Sequence, residues 1–182
     1  MANRIYLIRH CSAVGQEPLA ELTAAGVEQA GRLAEFLASE PIDHISSSPY
    51  RRAVATIQPL AERLGREIQV DHRLRERVLA AESHDDWMDR LEASFRDLEL
   101  RLPGGESSRE AMARGVAVVE ELLGKPGECA VVVTHGNLMA LILTHFAEDF
   151  GFEGWRGLGN PDVYELMAPA GGREGTVRRV WA

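Results

Sequence analysis

The chain has little cysteine: Cys11 and Cys129 are its only two among 182 residues. They show neither CxxC nor Cys/His ligand spacing, which excludes a disulfide framework and a structural zinc site and points to a reducing compartment. Long hydrophobic runs are absent, and the apolar stretch inside the opening MANRIYLIRHC is too short for a signal or membrane helix, so a cytoplasmic location is expected. Positive charge is also scarce. The net charge is −8 with no Lys/Arg cluster, which argues against a nucleic-acid surface or an anionic membrane as partner. An anionic ligand therefore needs a local basic pocket.

What is present is an ordinary globular composition, 45% hydrophobic and 26% charged, without repeats, low-complexity tracts or a dividing linker. One domain spanning 1–182 is expected. Ile5-Tyr6-Leu7-Ile8 and Ala130-Val131-Val132-Val133 are short continuous apolar runs, the pattern of strands buried on both faces, and each is followed within two residues by histidine. Between them lie helical stripes: Val27, Ala30, Ala34 and Leu37; Ala53, Ile57, Leu60 and Leu64; Trp87, Leu91, Ser94 and Leu98; Met112, Val116, Val119 and Leu123. Thr23 precedes the first, Ser83-x-x-Asp86 the third, and Ser107-x-x-Glu110 forms a capping box before the fourth. Ile45 to Ser48, Ile68 to Val70, Asp162 to Met167 and Thr176 to Trp181 read as further strands. Gly151 to Gly159 reads as an ordered loop and Pro169 to Gly175 as a turn. Alternating strands and helices predict an α/β layer sandwich.

In parallel α/β sheets ligands bind beyond the carboxyl ends of the strands, where Arg9-His10 and His135-Gly136 fall. A phosphoryl group needs donors around its oxygens and an in-line nucleophile, and arginine and neutral histidine suit those roles. Arg51-Arg52 places two more arginines at a helix start, at least one of them directed inward. Gly136 opens a helix whose N-terminal N–H groups can face an anion. Glu76, among Arg75 and Arg77, is a carboxyl group able to act as general acid. Singly, each signal has an ordinary structural explanation; their order carries the reading.

That order, Leu7-Ile8-Arg9-His10-Cys11, then Ser48-Pro49-Tyr50-Arg51-Arg52-Ala53-Val54-Ala55-Thr56, then Leu74-Arg75-Glu76, then Val133-Thr134-His135-Gly136, resembles the histidine phosphatase (phosphoglycerate mutase-like) superfamily over about residues 3 to 143. Leu22-Thr23-Ala24-Ala25-Gly26 and Gly105-Glu106-Ser107 resemble two further family segments. The resemblance implies a three-layer αβα sandwich with a mostly parallel central sheet. It also implies a metal-independent and cofactor-free phosphomonoesterase in which His10 attacks phosphorus and Glu76 protonates the leaving oxygen, while Arg9, Arg52 and His135 hold the phosphate with Gln16 and Gly136. Three positions depart from the family pattern: Cys11 replaces the usual Gly, Ala13 a hydroxyl residue, and Gln16 a phosphate-contacting Asn. The expected substrate is a phosphorylated small molecule or a phosphoprotein, and the chain a monomer or homodimer, with residues 78–102 as a cap that sets specificity.

Three rivals remain. His10-Cys11-Ser12-Ala13 resembles the opening of cysteine-dependent tyrosine phosphatases, but Glu17 stands where their loop carries Arg. A phosphoglycerate mutase-type phosphotransferase needs a loop before Leu22 and an insertion after Glu76, and neither has room here. A non-catalytic phospholigand-binding regulatory protein would have no use for the acid Glu76.

Overall fold

The computed structural model describes residues 3–125, 128–169 and 175–181. Strands β1 (Asn3–Arg9), β2 (His44–Ser47), β3 (Ile68–Val70) and β4 (Cys129–Thr134) alternate with helices α1 (Ala24–Leu37), α2 (Arg51–Leu64), α3 (Trp87–Arg96) and α4 (Ser108–Leu123). A 3-10 turn at His72–Leu74 follows β3; α5 (Gly136–Phe146) and α6 (Gly151–Arg156) follow β4 and lead into β5 (Asp162–Ala168) and β6 (Thr176–Trp181). The sheet order is β3-β2-β4-β1-β5-β6. The first four strands run parallel, and β5 and β6 close one edge as an antiparallel pair. This is the mostly parallel α/β sandwich expected.

The period-2 alternation of strand side chains builds a core on each face. From β1, Ile5 and Leu7 join Ala130 and Val132 of β4 under α4 and α5, whereas Tyr6 and Ile8 join Val131 and Val133 under α1 and α2. Central strands covered on both sides leave their carboxyl ends, at Arg9 and Thr134, as the natural opening. Helix starts follow the capping chemistry in two places. The Thr23 hydroxyl accepts from the Gly26 N–H at 3.0 Å, and Ser107 with Glu110 completes a reciprocal box.

Three elements depart from expectation. Val27 is 61% exposed, because α1 turns Gly26, Ala30, Leu33, Ala34 and Leu37 inward. The start of α3 is not side-chain capped: Asp86 accepts from Arg90 rather than from the backbone, and the helix ends before Leu98. Residues from Gly151 form α6, since Phe152 and Trp155 gain a packing surface one turn apart, with Phe152 against Phe95 at 6.0 Å and Trp155 against Trp87 at 6.3 Å. The turn expected at Pro169 to Gly175 lies mostly outside the described residues.

Leu7 is fully buried at the sheet centre. Truncation to Ala should destabilise the protein by about 2–5 kcal/mol, whereas Val27→Ala should change stability by less than about 0.5 kcal/mol. Denaturant titration of both variants checks that β1 lies in the core and that Val27 is on the outer face of α1.

Candidate active site

The site forms where β1, β2 and β4 end. His10 follows β1, Ser48 follows β2 and His135 follows β4. Arg52 occupies the first turn of α2, and because helical side chains lean toward the N-terminus, its guanidinium is carried back over these strand ends. It is fully buried. Its Nε donates to His10 Nε2 at 3.1 Å, Nη2 to His135 Nδ1 at 3.2 Å and Nη1 to the Glu17 carbonyl at 2.9 Å, while the Tyr50 ring lies 5.0 Å from it. Thr56 ties the same helix to β1: its hydroxyl accepts from the Cys11 N–H at 2.9 Å and donates to the Arg52 carbonyl at 2.8 Å.

These partners assign both imidazole tautomers. The Cys11 carbonyl, 2.7 Å from His10 Nδ1, can only accept, so the proton sits on Nδ1 and the Nε2 lone pair faces Arg52. His135 Nδ1 accepts from Arg52, so its Nε2 carries the proton and donates to the Ser48 hydroxyl at 2.7 Å. The rings meet edge-on at 5.2 Å.

Arg9 approaches from the opposite side. Its Nη1 donates to the carbonyls of Leu158 and Gly159 at 3.1 and 3.4 Å, and its buried Nε has no partner. The guanidinium lies against the first residue of α5, where a Cβ on Gly136 would stand 3.0 Å from it. A side chain there would crowd the guanidinium and push it by a few tenths of an ångström. Glu76 occupies the rest of the helix head: Oε2 accepts from the Asn137 N–H at 3.1 Å and Oε1 from Leu138 at 2.9 Å and Arg77 at 2.8 Å. The expectation that this helix start offers its N–H groups to an external anion is therefore corrected, since two of them already serve the Glu76 carboxylate.

The histidine phosphatase superfamily (branch 1) profile matches residues 5–175. The chain belongs to that superfamily. Among relatives, it is 30% identical over 156 residues to a protein of Hydrogenobacter thermophilus provisionally named phosphoserine phosphatase 2, covering 77% of this chain and 76% of the other. It is 29% identical over 159 residues to a Salmonella choleraesuis protein provisionally named phosphoglycerate mutase GpmB, covering 78% and 73%. Among solved structures, mycobacterial glucosyl-3-phosphoglycerate phosphatase superposes with a TM-score of 0.81 at 28% identity over the whole of both chains.

Within this superfamily member the structure brings together Arg9, His10, Arg52, Glu76, His135 and Gly136. Gln16 makes no hydrogen bond to any of them among the described contacts. It is exposed on the loop after β1, and the neighbouring Glu17 carbonyl, rather than the Gln16 amide, is what the loop turns toward Arg52. Arg51 points outward to Glu21 at 2.7 Å. Ala13 makes a lone strand-like bridge to Leu22. The Cys11 thiol is buried, which pushes its pKa up to about 11 and leaves it protonated at neutral pH. Two supporting residues escaped the sequence reading. Asn160 donates its side-chain amide to the His10 carbonyl at 2.8 Å, and Asp162 accepts from the Gly159 N–H at 2.8 Å while pairing with Arg179. An Asn-Pro step before the last strand pair was the available signal; the contact spans 150 positions.

Burial, reinforced by the Arg52 and Arg9 charges and opposed by the Cys11 carbonyl, lowers the His10 pKa from 6.5 to about 4. His135 shifts the same way, mainly by burial. Burial raises the pKa of Glu76, against the pull of its three N–H donors and Arg9. Between about pH 4 and 6.5 the folded protein thus binds fewer protons at His10 than the unfolded chain does. The stability that this group contributes is complete above 6.5 and declines as pH falls toward 4, by on the order of 3 kcal/mol. NMR titration of the imidazole protons should place the His10 transition near pH 4; a transition at 6 or above would contradict a buried, neutral ring.

Proposed function

We propose that this chain is a metal-independent phosphomonoesterase acting through a phosphohistidine intermediate on His10. The observation that supports this most is the charge arrangement. Arg9 and Arg52 converge on a neutral imidazole, and among the described residues neither has a carboxylate within 4 Å, although most of the described arginines are paired with one. A buried cation without a carboxylate in direct contact is costly, and a phosphate dianion supplies that contact. The two guanidiniums then neutralise the phosphoryl oxygens, the role that magnesium has in other phosphotransferases.

In the first step the Nε2 lone pair of His10 forms a bond to phosphorus as the P–O bond to the leaving group breaks. Arg52 shifts its hydrogen bond from Nε2 to a phosphoryl oxygen, and the Cys11 carbonyl stabilises the positive charge that develops on the ring through Nδ1–H. Glu76 gives its proton to the leaving oxygen, and its raised pKa favours that protonated start. In the second step Glu76, now a carboxylate steadied by three N–H donors, takes a proton from water as the water attacks phosphorus. His10 leaves with its lone pair. His135, oriented by Ser48, holds Arg52 from the far side and its ring edge faces His10.

Relatives bearing phosphatase names support hydrolysis. The GpmB likeness supports a mutase reading at the level of the superfamily, but the short loop before Leu22 and the early Gly105-Glu106-Ser107 leave no segment for a substrate carboxylate. The substrate class in this reading is a phosphorylated small molecule or a phosphoprotein, and residues 78–102, which join Glu76 to α4 through α3, serve in it as the specificity cap.

His10→Ala should abolish p-nitrophenyl phosphate hydrolysis, by about a thousandfold or more, whereas Cys11→Ser should retain most of it. Phosphate release should need no bisphosphoglycerate. The reverse ranking of the two variants would remove His10 as nucleophile.

A further inference from the structure

Glu76 lies in a segment with almost no regular structure, between the 3-10 turn and α3, yet a general acid must be held to a fraction of an ångström. What holds it comes from the other side of the chain. Arg114, on the inner face of α4, donates Nη1 to the Arg73 carbonyl at 2.6 Å and to the Arg75 carbonyl at 2.7 Å, and Nη2 to the Glu76 carbonyl at 3.4 Å. The same guanidinium grips Glu106 with both arms, Nε to Oε1 at 2.8 Å and Nη2 to Oε2 at 2.9 Å. Glu106 in turn accepts from the Val78 N–H at 3.3 Å, and its carbonyl accepts from both Nε and Nη2 of Arg77 at 3.2 and 3.0 Å. Every residue flanking Glu76 is thereby tied to one ion pair. Arg77 extends the tie to the cap, donating to the Ser94 hydroxyl of α3 at 2.8 Å. Close packing keeps this turn in place, since a Cβ on Gly105 would fall 2.1 Å from the Leu79 carbonyl.

We propose that Arg114 and Glu106 are positioning residues for the proton-donating step, clamping the Glu76 backbone and, through Arg77, the α3 cap into one unit. The proposal rests on Glu76 being the general acid. It follows from the division of labour at the site: Glu76's side chain is oriented by the α5 N–H groups, which fix its carboxylate only if its backbone is fixed as well. Two carbonyls converging on one nitrogen of a half-buried guanidinium is a geometry that lysine, a point charge without the planar fork, does not reproduce.

A defect in proton donation has a signature that general loosening of the fold lacks. Good leaving groups such as p-nitrophenolate depart without a proton, whereas alkoxides do not. Arg114→Lys and Glu106→Gln, with Glu76→Gln as reference, are assayed on p-nitrophenyl phosphate and on a simple alkyl phosphate. Expected for both clamp variants is a fall in kcat/KM, which ends at phosphoenzyme formation and so leaves out the later hydrolysis common to both substrates, of about tenfold or more on the alkyl ester but under about threefold on the aryl ester, paralleling a larger selective loss in Glu76→Gln. Equal losses on the two substrates for the clamp variants, with selectivity intact in Glu76→Gln, overturn the clamp alone. Equal losses in Glu76→Gln itself overturn the acid assignment and the clamp with it. Arg114→Ala provides the stronger lesion, and Glu106→Gln, which removes one charge and leaves the turn's backbone contacts, keeps the test decisive should Arg114→Ala fail to fold.

Discussion

One guanidinium organises this site. Arg52 is fully buried, gives a hydrogen bond to each of the two histidines and one to the loop after β1, and among the described residues has no carboxylate partner within 4 Å. Burying an unpaired cation works against folding, and two physical responses around it reduce that cost. Both imidazoles stay neutral, their pKa values pressed down by burial and by the neighbouring arginines, so that each can accept from Arg52. The remaining positive potential is left for an anion. The same constraint makes the nucleophile: a histidine forced to be neutral, with Nδ1–H held by a backbone carbonyl, keeps its lone pair on the nitrogen that faces the arginines.

The other half of the site solves the opposite problem. Glu76 is a carboxyl group in a buried setting, and desolvation alone would keep it protonated; three backbone N–H groups and Arg9 make its anion tolerable. A group that both gives and takes a proton needs this balance. It is obtained by using the head of α5 as an internal cap, which is why Gly136 has no side chain to obstruct Arg9, and why the irregular segment around Glu76 is fastened to α4.

How much of this was legible in the residues depended on range. Ile5 to Ile8 and Ala130 to Val133 announced central strands because burial on both faces leaves a local, unbroken apolar signature, and the histidines that follow marked the active edge. Thr23 and Ser107 announced helix starts because capping acts over three residues. Val27 was misplaced because a stripe of four similar positions does not say which side of it faces the sheet. Gly151 to Gly159 looked like a loop because its helix is stabilised by aromatic packing on α3 rather than by propensity. Gln16 was assigned by register within a motif, which fixes a position in the chain but not the direction of a side chain on an irregular loop. Asn160 and Asp162 support Arg9 and His10 from the start of the neighbouring strand β5, some 150 positions along the chain, and no local pattern carries a contact of that separation.

The central claim is that His10 forms the covalent bond to phosphorus. Enzyme mixed rapidly with phosphomonoester, quenched in alkali and digested for mass spectrometry should yield one phosphopeptide carrying the modification on His10, stable to base and lost in acid. A phosphorylated Cys11 in its place, or no phosphoenzyme at any time during turnover, would contradict the account.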